Sequence, residues 1–73
     1  MENALKRLSE LNEQFDMSYF YSITIRQSYN EINLQGYYAD ANFEIARFLG
    51  IKLELQGDML RGENEYYKIT LTT

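Results

Sequence analysis

The chain contains no cysteine and no histidine. Without cysteine there is no disulfide framework, and without either residue a zinc site lacks its usual thiolate and imidazole ligands. The absence of histidine also removes the one side chain that ordinarily titrates near neutral pH, and with it the usual general base of nucleophilic catalysis. No apolar run approaches the roughly 20 residues that a helix needs to span a bilayer. None follows Met1-Glu2-Asn3, so no signal peptide is expected, and a soluble cytoplasmic protein is the plain expectation. Basic residues are outnumbered, with 7 Lys and Arg against 11 Asp and Glu, for a formal charge of −4. That balance argues against general affinity for DNA or RNA, where a basic face supplies most of the binding energy.

What the chain has is aromatic surface: seven Tyr and four Phe, without Trp or Pro, in 73 residues. The length fits one domain, 1–73, and a domain of that size buries only about 60% of its unfolded surface. Some of those rings are therefore expected at the surface, where Tyr and Phe favour interfaces.

Periodicity divides the chain into six segments. From Asn3 to about Phe15, Ala4, Leu5, Leu8, Leu11 and Phe15 form one apolar stripe at helical spacing, with Glu2 and Lys6 as an i,i+4 pair on the solvated side. From Ser18 to Arg26, Tyr19, Tyr21, Ile23 and Ile25 alternate with Phe20, Ser22, Thr24 and Arg26, which is strand periodicity. Alternation resumes with Ile32, Leu34 and Gly36 against Asn33, Gln35 and Tyr37, so a hairpin is expected. Its register sets Ile25 opposite Ile32, Ile23 opposite Leu34 and Phe20 opposite Tyr37. A second helix spans Asp40 to Leu49, with Asp40 as N-cap and Gly50 just past the end. Ala41, Ile45, Phe48 and Leu49 form its apolar face. A third alternating run starts at Ile51 and is interrupted at Gly57 as by a bulge, with Met59 and Leu60 extending it. After a turn at Arg61-Gly62-Glu63-Asn64, the last strand runs from Glu65 to about Thr72.

The order α-β-β-α-β-β predicts an α+β two-layer sandwich, a four-stranded antiparallel sheet with two helices on one face. Each half repeats the pattern of a helix followed by a hairpin. Ile45-Ala46-Arg47-Phe48-Leu49-Gly50-Ile51 resembles the first helix and turn of helix-turn-helix proteins. In that family a second helix follows at once to enter the major groove. Here Lys52-Leu53-Glu54-Leu55 alternates like a strand, so the recognition element is missing.

No Gly-x-Ser-x-Gly elbow and no phosphate-cradling Gly-rich loop occur. Asp58, Glu63 and Glu65 gather around the second hairpin turn, and Glu10, Glu13 and Asp16 at the end of the first helix. Neither group has the spacing of an EF-hand loop, and solvated acidic residues are the expectation. No catalytic residue, metal or cofactor is expected, and the chain reads as non-enzymatic. The open face of the sheet is expected to carry Phe20, Tyr37 and Tyr66 among polar residues. These rings, with Asp58, Glu63 and Glu65, are the candidate partner-binding residues. The expected function is a protein-interaction module, a small acidic inhibitor or regulator of a host protein of the phage or mobile-element type. Two alternatives are a single-stranded nucleic-acid binder that stacks bases on those aromatics and a self-assembling component, including a homodimer.

Overall fold

The computed structural model describes residues 3–73; Glu2, and with it the Glu2–Lys6 pair, lies outside them. Helix α1 spans Ala4–Gln14 and is capped by Asn3, whose side chain accepts a hydrogen bond from the Lys6 amide at 2.9 Å. That bond satisfies one of the first-turn amides a helix leaves unpaired. Ala4 and Leu11 are buried in the core, and Leu8 and Phe15 pack against it.

Strand β1 (Phe20–Arg26) and strand β2 (Glu31–Tyr37) form the expected antiparallel hairpin around a short 3-10 turn. Asn30 closes that turn at φ 53, a left-handed conformation that Asn adopts more readily than most residues. Ile25 faces Ile32 and Ile23 faces Leu34, but the register shifts between Phe20 and Ser22. The bulge sets Phe20 opposite Gly36 rather than Tyr37 and turns the Phe20 ring into the core. Gly36 permits this because a Cβ there would lie 2.6 Å from the Tyr19 carbonyl, 2.7 Å from Phe20 Cδ1 and 2.8 Å from Asn42 Nδ2.

Helix α2 covers Asp40–Phe48. Its N-cap is Ala39, without a side-chain bond, so Asp40 is the first helical residue and not the cap. There its charge complements the positive end of the helix dipole. The C-terminus closes as expected. Gly50 takes φ 73, its amide bonds the Arg47 carbonyl at 3.1 Å, and the Ile51 amide bonds the Ala46 carbonyl at 2.9 Å. These two bonds make a Schellman motif. The buried residues are Asn42, Ile45 and Ala46, whereas Phe48 is 60% exposed. The inward face is thus rotated from the expected one, because a polar residue occupies its centre. Asn42 is fully buried, and its Nδ2 donates to the carbonyls of Tyr19 at 3.2 Å and Tyr37 at 2.9 Å.

The second half holds three strands, not two: β3 (Glu54–Gln56), β4 (Met59–Glu63) and β5 (Tyr67–Thr72). Gly57 is not a bulge. With Asp58 it forms a two-residue hairpin loop between the paired Gln56 and Met59, and its φ of 68 suits the first position of such a turn. Asn64 makes the next reversal, its Oδ1 accepting the amides of Tyr66 and Tyr67. The sheet is five-stranded and mixed, in the order β1-β2-β5-β4-β3, with β2 parallel to β5. This corrects the four-stranded antiparallel expectation and ends the apparent repeat of the two halves. The extra strand reverses the chain once more, so β5 runs alongside β2 in the same direction after the α2 crossover.

One face of the sheet (Phe20, Ile32, Leu34, Tyr67, Ile69, Leu71) shares a single core with the buried residues of both helices. Among the described residues, no helix lies over the other face.

Asn42→Ala is expected to lower unfolding free energy by about 1–3 kcal/mol, the cost of leaving buried carbonyls under-satisfied. Gly36→Ala is expected to cost at least about 1–3 kcal/mol, since its Cβ meets backbone that cannot move aside. Urea unfolding followed by circular dichroism measures both, and loss of less than about half a kcal/mol in either would contradict the role assigned to this node.

Candidate functional site

Registers across the strands arrange the uncovered face in rows. Thr24 lies beside Asn33, Asn33 beside Lys68, and Lys68 beside Glu63. Ser22, Gln35, Thr70, Arg61 and Glu54 form the next row, and Tyr37 pairs with Thr72 beyond it. The centre of the face is therefore hydroxyl and amide, with charged residues towards the β4 side and at the Arg26–Glu31 end.

Tyr37 stands on this face, 51% exposed, as expected. Its ring partner is Tyr21, 52% exposed, with centroids 5.0 Å apart and planes at 55°. Tyr21 OH lies 3.4 Å from Thr72 Oγ1. The β1 bulge makes this pair. The register break that sends Phe20 inward leaves Tyr21 as the extra residue on the outer side, where it meets Tyr37. Strict alternation assigns Tyr21 to the core, and the register break between Phe20 and Ser22 is what places it outside.

The other candidates are dispersed. Phe20 is 8% exposed and belongs to the core. Tyr66 precedes β5 and packs half-buried on the helix side, with the Arg7 guanidinium 4.5 Å from its ring centre. Arg7 also lies 5.3 Å from the Tyr67 ring and donates to the Asn30 carbonyl, so it ties α1 to two turns. Asp58 is in the β3–β4 turn, where its carbonyl accepts from Tyr38 OH at 3.2 Å. Glu63 ends β4 opposite Lys68, and Glu65 lies in the following turn. Asp58 and Glu65 thus flank opposite ends of β4 and form no cluster with Glu63. Among the described residues, no group of three acidic side chains is placed to hold a metal ion.

Charges alternate in sign on the open face. Arg26 and Glu31 approach to 3.8 Å, Glu63 faces Lys68, and Glu54 faces Arg61. Asp16, away from this face, has a shifted titration. Hydrogen bonds from the Ser18 hydroxyl at 2.6 Å and the Ser18 amide at 3.0 Å hold its carboxyl below the usual aspartate range. No helix among the described residues is long and apolar enough to cross a membrane.

Comparisons with family models, with curated proteins and with solved structures give no match.

Since the folded Asp16 carboxyl titrates below its unfolded value, its bonds to Ser18 support the fold at neutral pH. That support is lost as pH falls through the native Asp16 pKa. Ser18→Ala is expected to move the Asp16 titration up, toward the ordinary value. NMR of the side-chain carboxyl reads this directly, and an unchanged titration would show that the hydroxyl is not its cause.

Proposed function

We propose that the chain is a non-enzymatic protein-interaction module that binds another protein through the uncovered sheet face. One observation carries the reading: a half-exposed tyrosine pair, Tyr21 and Tyr37, beside a band of uncharged hydrogen-bonding side chains. Tyr is enriched at binding hot spots because it offers a large apolar body and a polar tip at little entropic cost. Ser22, Thr24, Gln35 and Thr72 supply donors and acceptors without the desolvation cost of full charges. The small size and acidic balance fit an inhibitor or regulator of a host protein, of the phage or mobile-element type.

A phosphate-mimicking acidic stripe gains no support on this face, because each of Glu31, Glu54 and Glu63 stands beside a cation. The same pairing weakens the nucleic-acid alternative, since it leaves no continuous basic track for a backbone.

The test uses the wild type and a Tyr21→Ala, Tyr37→Ala double variant as baits in the native host. The pair is outside the core, so the double variant is expected to stay folded, losing about 1 kcal/mol. A partner captured by the wild type is expected to bind the double variant at least about 30-fold more weakly, as for a hot spot of 2 kcal/mol. Equal capture by both would overturn the proposal. So would tyrosine-dependent binding of a labelled single-stranded oligonucleotide at low salt.

A further inference from the structure

The two edges of the sheet differ. β3 is three residues long, with Lys52, Glu54 and Asp58 in or beside it. Short, charged edges of this kind resist pairing with another chain. β1 is seven residues long, and its only charge is Arg26 at its end. From Met17 to Asn30 that arginine is the only charged residue, so the rest of the chain carries a net −5. Beside the β1 edge on the helix side runs a groove of about 420 Å³ lined by Leu5, Leu8, Ser9, Asn12, Met17 and Ile23. Leu5 is 56% and Ile23 41% exposed. Open backbone and apolar surface therefore coincide at one edge.

We propose that this edge is a homodimer interface, in which β1 pairs antiparallel with β1 of a second copy to give a continuous ten-stranded sheet. Charge identifies the occupant. Two acidic copies repel over most of their surfaces, and β1 is a sheet edge along which they meet without facing carboxylates. The pairing is isologous, so one patch must complement itself. The regular part of β1, Ser22–Arg26, is centred on Thr24. A twofold axis there sets Ile23 against Ile25 of the partner subunit on the helix side and keeps the two arginines apart. Both α1 helices then lie on the same side of the joined sheet, and the two grooves close on each other. Both Tyr21–Tyr37 pairs face the opposite side, with the Tyr21 residues about 20 Å apart along the strands. The interface is independent of the partner-binding reading, because it uses the sheet edge and not the open face. If both hold, the dimer binds its partner bivalently.

The interface is small, so its dissociation is expected between about 1 μM and about 1 mM. Sedimentation across that range should show mass rising from 8.7 kDa toward twice that value. Ile23→Lys and, separately, Leu5→Glu should remain at 8.7 kDa throughout with unchanged circular dichroism, while Leu55→Lys on the other edge should dimerise like the wild type. The register has its own readout. Because the chain lacks cysteine, Thr24→Cys should oxidise to a disulfide-linked dimer, since opposed Cα atoms at an antiparallel axis lie within disulfide reach. Leu55→Cys should not. A wild type that stays at 8.7 kDa at every concentration overturns the proposal. So does a dimer that survives both β1-side variants or is lost with Leu55→Lys.

Discussion

The side-chain amide of Asn42 is the bond on which most of this structure depends. Its two N–H groups reach the carbonyls of Tyr19 and Tyr37, joining the entry of β1, the exit of β2 and the first turn of α2 at one buried point. The Tyr19 carbonyl also accepts the Tyr37 amide at 3.0 Å, so the bulge is held from two directions. Gly36 leaves the space that this convergence needs, and Phe20 fills what remains. Burying a polar side chain costs less when it is bonded. The two Nδ2 bonds hold the Asn42 face of α2 inward, although the buried Oδ1 has no partner among the described residues.

That node also decides what the outer face shows. The bulge exchanges two neighbouring rings, placing Phe20 in the core and Tyr21 outside against Tyr37. The exposed tyrosine pair is therefore a by-product of how the core closes. Charges on this surface are paired by sign, and among the described residues no acidic cluster is placed to hold a metal ion. The free edge of β1, with its apolar groove, is a second surface of different character. It is backbone and aliphatic where the open face is hydroxyl, amide and tyrosine.

Much of the fold was legible in the residue pattern. The stripe Ala4, Leu8, Leu11 marks α1, the pairs Ile25–Ile32 and Ile23–Leu34 set the hairpin register, and Gly50 ends α2. The misreadings share a cause: strict periodicity was carried across a local break. Alternation continued past Ser22 put Phe20 outside and Tyr21 inside. Helical spacing counted on apolar residues alone selected Phe48 and passed over Asn42, because a polar residue facing inward gives no hydrophobic signal. Gly57 fits either a bulge or a two-residue turn, and the choice of a bulge removed a strand. Of the candidate site residues, Tyr37 stood where expected. Tyr66 precedes β5 and so escapes the alternation of that strand, and the additional chain reversal at Gly57-Asp58 sets the length of β4 between Asp58 and the two glutamates Glu63 and Glu65.

The sequence by itself determined the fold class: α+β, free of disulfides, with alternating strands and amphipathic helices. These properties follow from composition and from periods of two and 3.6 residues, which are local. Only the tertiary structure decided that β5 runs parallel beside β2, that α2 turns Asn42 inward and that Tyr21 emerges beside Tyr37. Each depends on groups far apart in the chain competing for the same buried space and hydrogen bonds. No local period records the outcome of that competition, and the uncovered face of the sheet is where its result is displayed.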